Sequence, residues 1–158
     1  QDRLLRVLDG AGQALPGWAG VPIEGGWIAP PAVGDMDGDG KKEIAVATGS
    51  IAYLFDFLGQ PVPGWPKDLT PLIPSVSSFG IYPAMGDLDG DGRLELILAG
   101  REGDPARATN GRILAFHDDG SAVAGWPQVV PDPALNPAVL GDIDGDGSAG
   151  SSRRRGST

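Results

Sequence analysis

The chain has 158 residues, no cysteine and a formal net charge of −9, with 26 glycines and 15 prolines. Without cysteine there is no disulfide framework and no thiolate metal site, so zinc or iron–sulfur chemistry is not the expectation. No basic stripe runs through the chain and no apolar run reaches membrane-spanning length, so neither nucleic acid nor a membrane span is expected.

Taken in chain order, Leu4 to Trp18 reads as two strands around a turn and ends in the segment RVLDGAGQALPGW. A Pro-Ala step at Pro31-Ala32 then leads into the acidic stretch DMDGDGKKE, Asp35 to Glu43. The short aliphatic runs Glu43 to Thr48 and Ile51 to Phe57 follow, then a turn at Gly59 and a strand expected to end at the Gly-Trp-Pro of residues 64–66. The same landmarks return as Pro83-Ala84, DLDGDGRLE from Asp87 to Glu95, Glu95 to Ala99, Ile113 to Phe116, a turn at Gly120 and Gly-Trp-Pro at 125–127. Between the second pair of strands lies the polar run Arg101 to Arg112, expected as a solvated hairpin loop. A third copy opens with Pro137-Ala138 and DIDGDGSAG, Asp142 to Gly150, then passes into a Gly/Ser/Arg tail over residues 148–158 with nothing to bury, expected to be disordered or non-native.

No segment carries a sustained 3.6-residue apolar period with caps, so the chain is expected to be all-β. Landmarks recurring in register every 50-odd residues mark an array of similar units. Each unit then holds four antiparallel strands with the acidic loop between its first and second, the pattern of β-propeller blades. This gives a half blade at 4–18, blades at 30–66 and 82–127, and a half blade at 137–147. Two blades and two halves do not close a ring of four or more, so a piece of a larger propeller, or one that self-associates through open blade edges, is expected.

The acidic loops hold four, four and three of the 21 acidic residues. Carboxylates at positions one, three and five around glycines let a short loop wrap oxygen ligands around a hard cation, Ca²⁺ before Mg²⁺. A helical EF-hand would need an acid at position twelve, which is Val46 in the first loop and Leu98 in the second. Trp18, Trp65 and Trp126 share one repeat position, which points to packing between units, whereas Trp27 lies outside the repeat, where contact with a glycan or protein is the minority reading and needs the ring exposed beside Ile28. His117 stands where Asp9 and Asp56 stand in the other units, with no serine or cysteine set beside it, so no general base is expected there.

The loop GD-x-DGDG-x-x-E followed by an aliphatic strand resembles the FG-GAP and VCBS repeats of integrin-α-like propellers, and the Gly-Trp-Pro strand end is similar to versions in bacterial secreted and cell-surface proteins. The resemblance covers residues 4 to 147. It implies Ca²⁺ held by Asp35, Asp37, Asp39 and Glu43 with the carbonyl of Lys41, and by Asp87, Asp89, Asp91 and Glu95 with the carbonyl of Arg93. Asp142, Asp144 and Asp146 form the matching part of the third loop, but Gly150 replaces the ninth-position acid and leaves that site open. The Gly-Ala-Pro of the family is Ala47-Thr48-Gly49 and Leu98-Ala99-Gly100 here, which places the chain nearer the divergent bacterial repeats than the integrins.

The function this implies is a non-enzymatic, calcium-stabilised adhesion or interaction scaffold of a secreted or cell-surface protein, with a protein or polysaccharide as partner. The alternatives are the propeller part of a larger extracellular enzyme (a hydrolase, a lyase or a quinoprotein dehydrogenase) or an incomplete fragment without a function of its own.

Overall fold

The computed structural model describes residues 3–73, 81–102, 110–131 and 138–142. Among these residues there is no helix, and ten strands form three antiparallel sheets. A two-stranded sheet pairs β1 (Leu4–Leu5) with β2 (Val21–Pro22). The second sheet runs in the order β3 (Ala32–Gly34), β4 (Glu43–Ala47), β5 (Ile51–Phe55) and β6 (Lys67–Asp68). The third repeats that order with β7 (Tyr82–Gly86), β8 (Glu95–Glu102), β9 (Asn110–Phe116) and β10 (Gln128–Val130).

The central strands are aliphatic without polar alternation because both of their faces are covered. Ala45, Ala52 and Leu54 point into a core shared with Leu96, Leu98, Leu114 and Phe116 of the third sheet. The intervening Val46, Tyr53 and Phe55 face the other way, onto Trp18 and Ile23 of the N-terminal segment. Ile97 and Ala115 face outward from the third sheet onto Val123. A two-residue side-chain period with both faces buried yields a continuous apolar run, and each fully buried aliphatic side chain contributes about 1.5–3 kcal/mol.

Three departures from the sequence expectation follow from local chemistry. The strand expected to end at Gly-Trp-Pro is mostly turn: Pro61 makes a single bridge to Phe55, and pairing resumes only at Lys67–Asp68 and Gln128–Val130, beyond the tryptophans. Pro61, Pro63 and Pro66 have no N–H to give a ladder, and Gly64 takes φ +91°, a left-handed conformation that turns the chain. In the N-terminal segment Leu8 bridges Ala14 in the same way, and the paired strand lies at Val21–Pro22, past Trp18. The ends of the polar run 101–112 belong to the sheet, with Arg101 opposite Gly111 and Glu102 opposite Asn110, because the hairpin ladder continues past its apolar section. Residues 103–109, Pro137, Asp144, Asp146 and the 148–158 tail lie outside the described residues.

The tryptophans join neighbouring units. Trp18 is 1% exposed, packs edge-on against Phe55 at 5.9 Å and donates its indole N–H to the Phe57 carbonyl at 3.0 Å. Trp65 is 7% exposed and repeats the arrangement one unit on, edge-on against Phe116 at 5.8 Å and donating to the Asp118 carbonyl at 2.8 Å. Each tryptophan thus reaches forward to the hairpin turn of the next unit. Trp126, at the third such position, is only partly buried.

Candidate functional site

The first acidic loop joins β3 to β4 and the second joins β7 to β8. In the first, Gly38 and Gly40 adopt φ of 75° and 86°, which lets successive carboxylates curl toward one centre. Asp37 Oδ1 accepts the Asp39 amide at 3.0 Å, Asp39 Oδ1 accepts the Lys41 amide at 2.7 Å, and Asp35 Oδ2 reaches across the loop to the Gly40 amide at 3.0 Å. The second loop repeats these three bonds, Asp91 amide to Asp89 at 3.2 Å, Arg93 amide to Asp91 at 2.8 Å and Gly92 amide to Asp87 Oδ2 at 3.0 Å, and adds a fourth, from the Gly90 amide to Asp87 Oδ1 at 2.7 Å.

The loops bring their aspartates together. One carboxylate oxygen from each of Asp35, Asp37 and Asp39 lies within 4.8 Å of the others, and the same holds for Asp87, Asp89 and Asp91. Like charges at that distance repel. In the first loop the lysines offset part of the repulsion, with Lys41 Nζ 2.8 Å from Asp39 Oδ2 and Lys42 Nζ 4.0 Å from Asp35 Oδ2. The Lys41 ammonium holds the Asp39 carboxyl below its usual range. Both lysines are exposed, so these pairs add little to stability. In the second loop Arg93 points away from the centre, 3.7 Å from Asp118 Oδ2.

Each loop ends on a buried glutamate that opens the following strand. Glu43 is 5% exposed and Glu95 is fully buried. One oxygen of each is fixed by the loop backbone: Glu43 Oε2 accepts the Met36 amide and Glu95 Oε2 accepts the Leu88 amide, both at 2.7 Å. Burial pushes the Glu43 carboxyl up, with Asp37, Asp35 and Asp39 acting in the same direction against the Met36 amide. Burial likewise raises Glu95, with Asp89 and Asp91 adding to it and the Leu88 amide and His117 opposing.

The atoms left without hydrogen-bond partners test whether a cation fits. Among the described residues, the buried side-chain oxygens that lack one are Asp35 Oδ1 and Glu95 Oε1, one in each loop. Buried oxygens of this kind are costly unless something compensates them, and a hard cation among carboxylates does so. Asp142 of the third loop is exposed.

Strand pairing adds two residues that the sequence did not nominate. Ile44 pairs with Phe55 and Leu96 with Phe116, so one step further Asp56 stands across from Glu43 and His117 across from Glu95. Asp56 lines a cleft with Asp37, Asp39 and Glu43, and Asp118 of the following unit lines it as well. His117 Nδ1 lies 3.4 Å from Glu95 Oε1. Counting the register of the β4–β5 hairpin out from its turn between Ala47 and Ala52 would have found Asp56, and His117 holds the matching place in the next unit.

Trp27 is 50% exposed and packs edge-on against Tyr82 at 5.9 Å. Among the described residues no helix is long and apolar enough to cross a membrane. The chain matches no protein-family model, no curated protein and no solved structure.

Proposed function

We propose that the chain is a calcium-binding, calcium-stabilised β-propeller repeat module of the FG-GAP/VCBS kind, serving as an adhesion or interaction scaffold in a secreted or cell-surface protein, with a protein or polysaccharide as its partner. One observation carries the cation part: two loops of closely similar wiring each converge three aspartates on one centre, and among the described residues each leaves one buried carboxylate oxygen without a hydrogen-bond partner. Two successive four-stranded meanders, joined by the forward-reaching Trp65 as Trp18 joins the N-terminal segment to the first of them, support the blade reading.

The ion's role in this reading is structural. Clustered carboxylates are strained in the folded chain and relaxed in the unfolded one, so a cation that balances them binds the fold selectively. At free Ca²⁺ about 100 times the dissociation constant, each filled site adds roughly 2.7 kcal/mol. Calorimetric titration of the EDTA-stripped chain, with the melting temperature followed in parallel, is expected to show saturable binding and a rise in Tm. Asp37→Ala and Asp89→Ala should each lower Tm in Ca²⁺ and change it little in EDTA. Equal losses in both media would refute the ligand assignment, and no heat with no change in Tm would refute the cation reading.

A further inference from the structure

The two loops share a scaffold but differ in the residue across the hairpin from the closing glutamate. In the first unit it is Asp56, so the donors in reach of the first loop are oxygens. In the second it is His117, and one ligand atom each from Asp89, Glu95 and His117 lie within 4.8 Å of one another. Glu95 is fully buried, and among the described residues its Oε1 has no hydrogen bond although His117 Nδ1 stands 3.4 Å away. An imidazolium–carboxylate pair would fill that position with an N–H···O bond, whereas this arrangement leaves one nitrogen and two carboxylate oxygens facing a common point.

We infer that the second loop is a mixed nitrogen–oxygen site for a first-row transition-metal dication, with His117 Nδ1, Glu95 Oε1 and Asp89 as ligands. This rests on the reading of the loops as cation sites and goes beyond it by assigning the two loops different ions. Imidazole nitrogen suits zinc, nickel, copper and iron and adds little for Ca²⁺, which takes oxygen ligands. Binding through Nδ1 requires the neutral ring with its proton on Nε2, so any proton on Nδ1 passes to solvent as the metal enters. A chain offered both ions would place Ca²⁺ in the first loop and the transition metal in the second.

The sequence contains a single histidine, so its ring resonances report this site without ambiguity. The experiment titrates Zn²⁺ into the whole EDTA-stripped chain, with and without saturating Ca²⁺, while NMR follows the His117 ring nitrogens and the amides of both loops. Zn²⁺ is expected to move the Nδ1 resonance and to bind the second loop at least about tenfold more tightly than the first, a preference set by ligand type. His117→Asp, which copies the first unit, should abolish that preference and leave Ca²⁺ binding in place. An unmoved Nδ1, or an unchanged Zn²⁺ preference in His117→Asp, would overturn this inference while leaving the calcium reading intact. Loop amides that respond to neither ion would overturn both.

Discussion

Gly64 sits where one unit meets the next, and replacing it with alanine tests how tightly the two are joined. A Cβ at Gly64 would lie 2.1 Å from the Asp119 carbonyl oxygen and 2.9 Å from its carbon, both backbone atoms that cannot swing aside. Gly125, at the equivalent position of the following unit, has nearly the same backbone, φ +87° against +91°, but among the described residues a Cβ there meets nothing within 4 Å. Alanine in a left-handed conformation costs about 1–2 kcal/mol, and both variants bear that strain. Gly64→Ala must also push the neighbouring turn away, an overpacking cost of roughly 1–3 kcal/mol. Displacing that turn weakens the Trp65 bond to the Asp118 carbonyl, worth about 0.5–1.5 kcal/mol. Gly64→Ala should therefore cost about 2–6.5 kcal/mol and Gly125→Ala about 1–2 kcal/mol. For a chain of this size each kcal/mol lowers Tm by roughly 2–4 °C, so the two variants should separate clearly in thermal denaturation followed by circular dichroism in Ca²⁺. Equal losses would refute the close approach between units.

Other outcomes follow from the same contacts. Trp65→Phe keeps the ring against Phe116 but leaves the Asp118 carbonyl without its donor, and should cost about 1–3 kcal/mol in urea denaturation. Tyr53→Phe removes a hydroxyl that accepts the Glu24 amide at 3.1 Å and donates to the Glu24 carbonyl at 3.3 Å, and about 1–2 kcal/mol should be lost in the same assay. In EDTA, Glu43 and Glu95 hold their protons more tightly when folded than at their ordinary value of 4.5, so their contribution favours the fold below that pH and is lost as pH rises through their raised values. Tm in EDTA should fall from pH 4.5 toward neutrality, and Glu43→Gln with Glu95→Gln should flatten that slope. In Ca²⁺ the sign reverses, since protonating either carboxylate expels the ion.

Much of the sheet structure was legible because aliphatic runs bounded by glycine have few other uses. Glu43 to Ala47, Ile51 to Phe55 and Glu95 to Ala99 all lie in strands. The fourth strand of each sheet was misplaced: Pro61 and Pro63 already marked a break before Gly64, but where pairing resumes, at Lys67 and Gln128 beyond the tryptophans, is set by the neighbouring strand and not by local sequence. The candidate ligands were legible because loop ligands are local: spacing along the chain is spacing around the loop. Asp56 and His117 were missed for the opposite reason. They reach the loops across a hairpin, and that relation exists only once the register is fixed.

The contact that Trp18 and Trp65 make is directional, since the giver is always an indole and the receiver always the hairpin turn of the unit that follows. A unit built this way carries both halves of the joint at opposite faces. Inserting or deleting a whole unit therefore keeps the indole-to-turn contact, while the side chains packed around it differ from one seam to the next. Array length becomes a quantity that gene duplication can adjust in single steps, and the joint itself does not limit it.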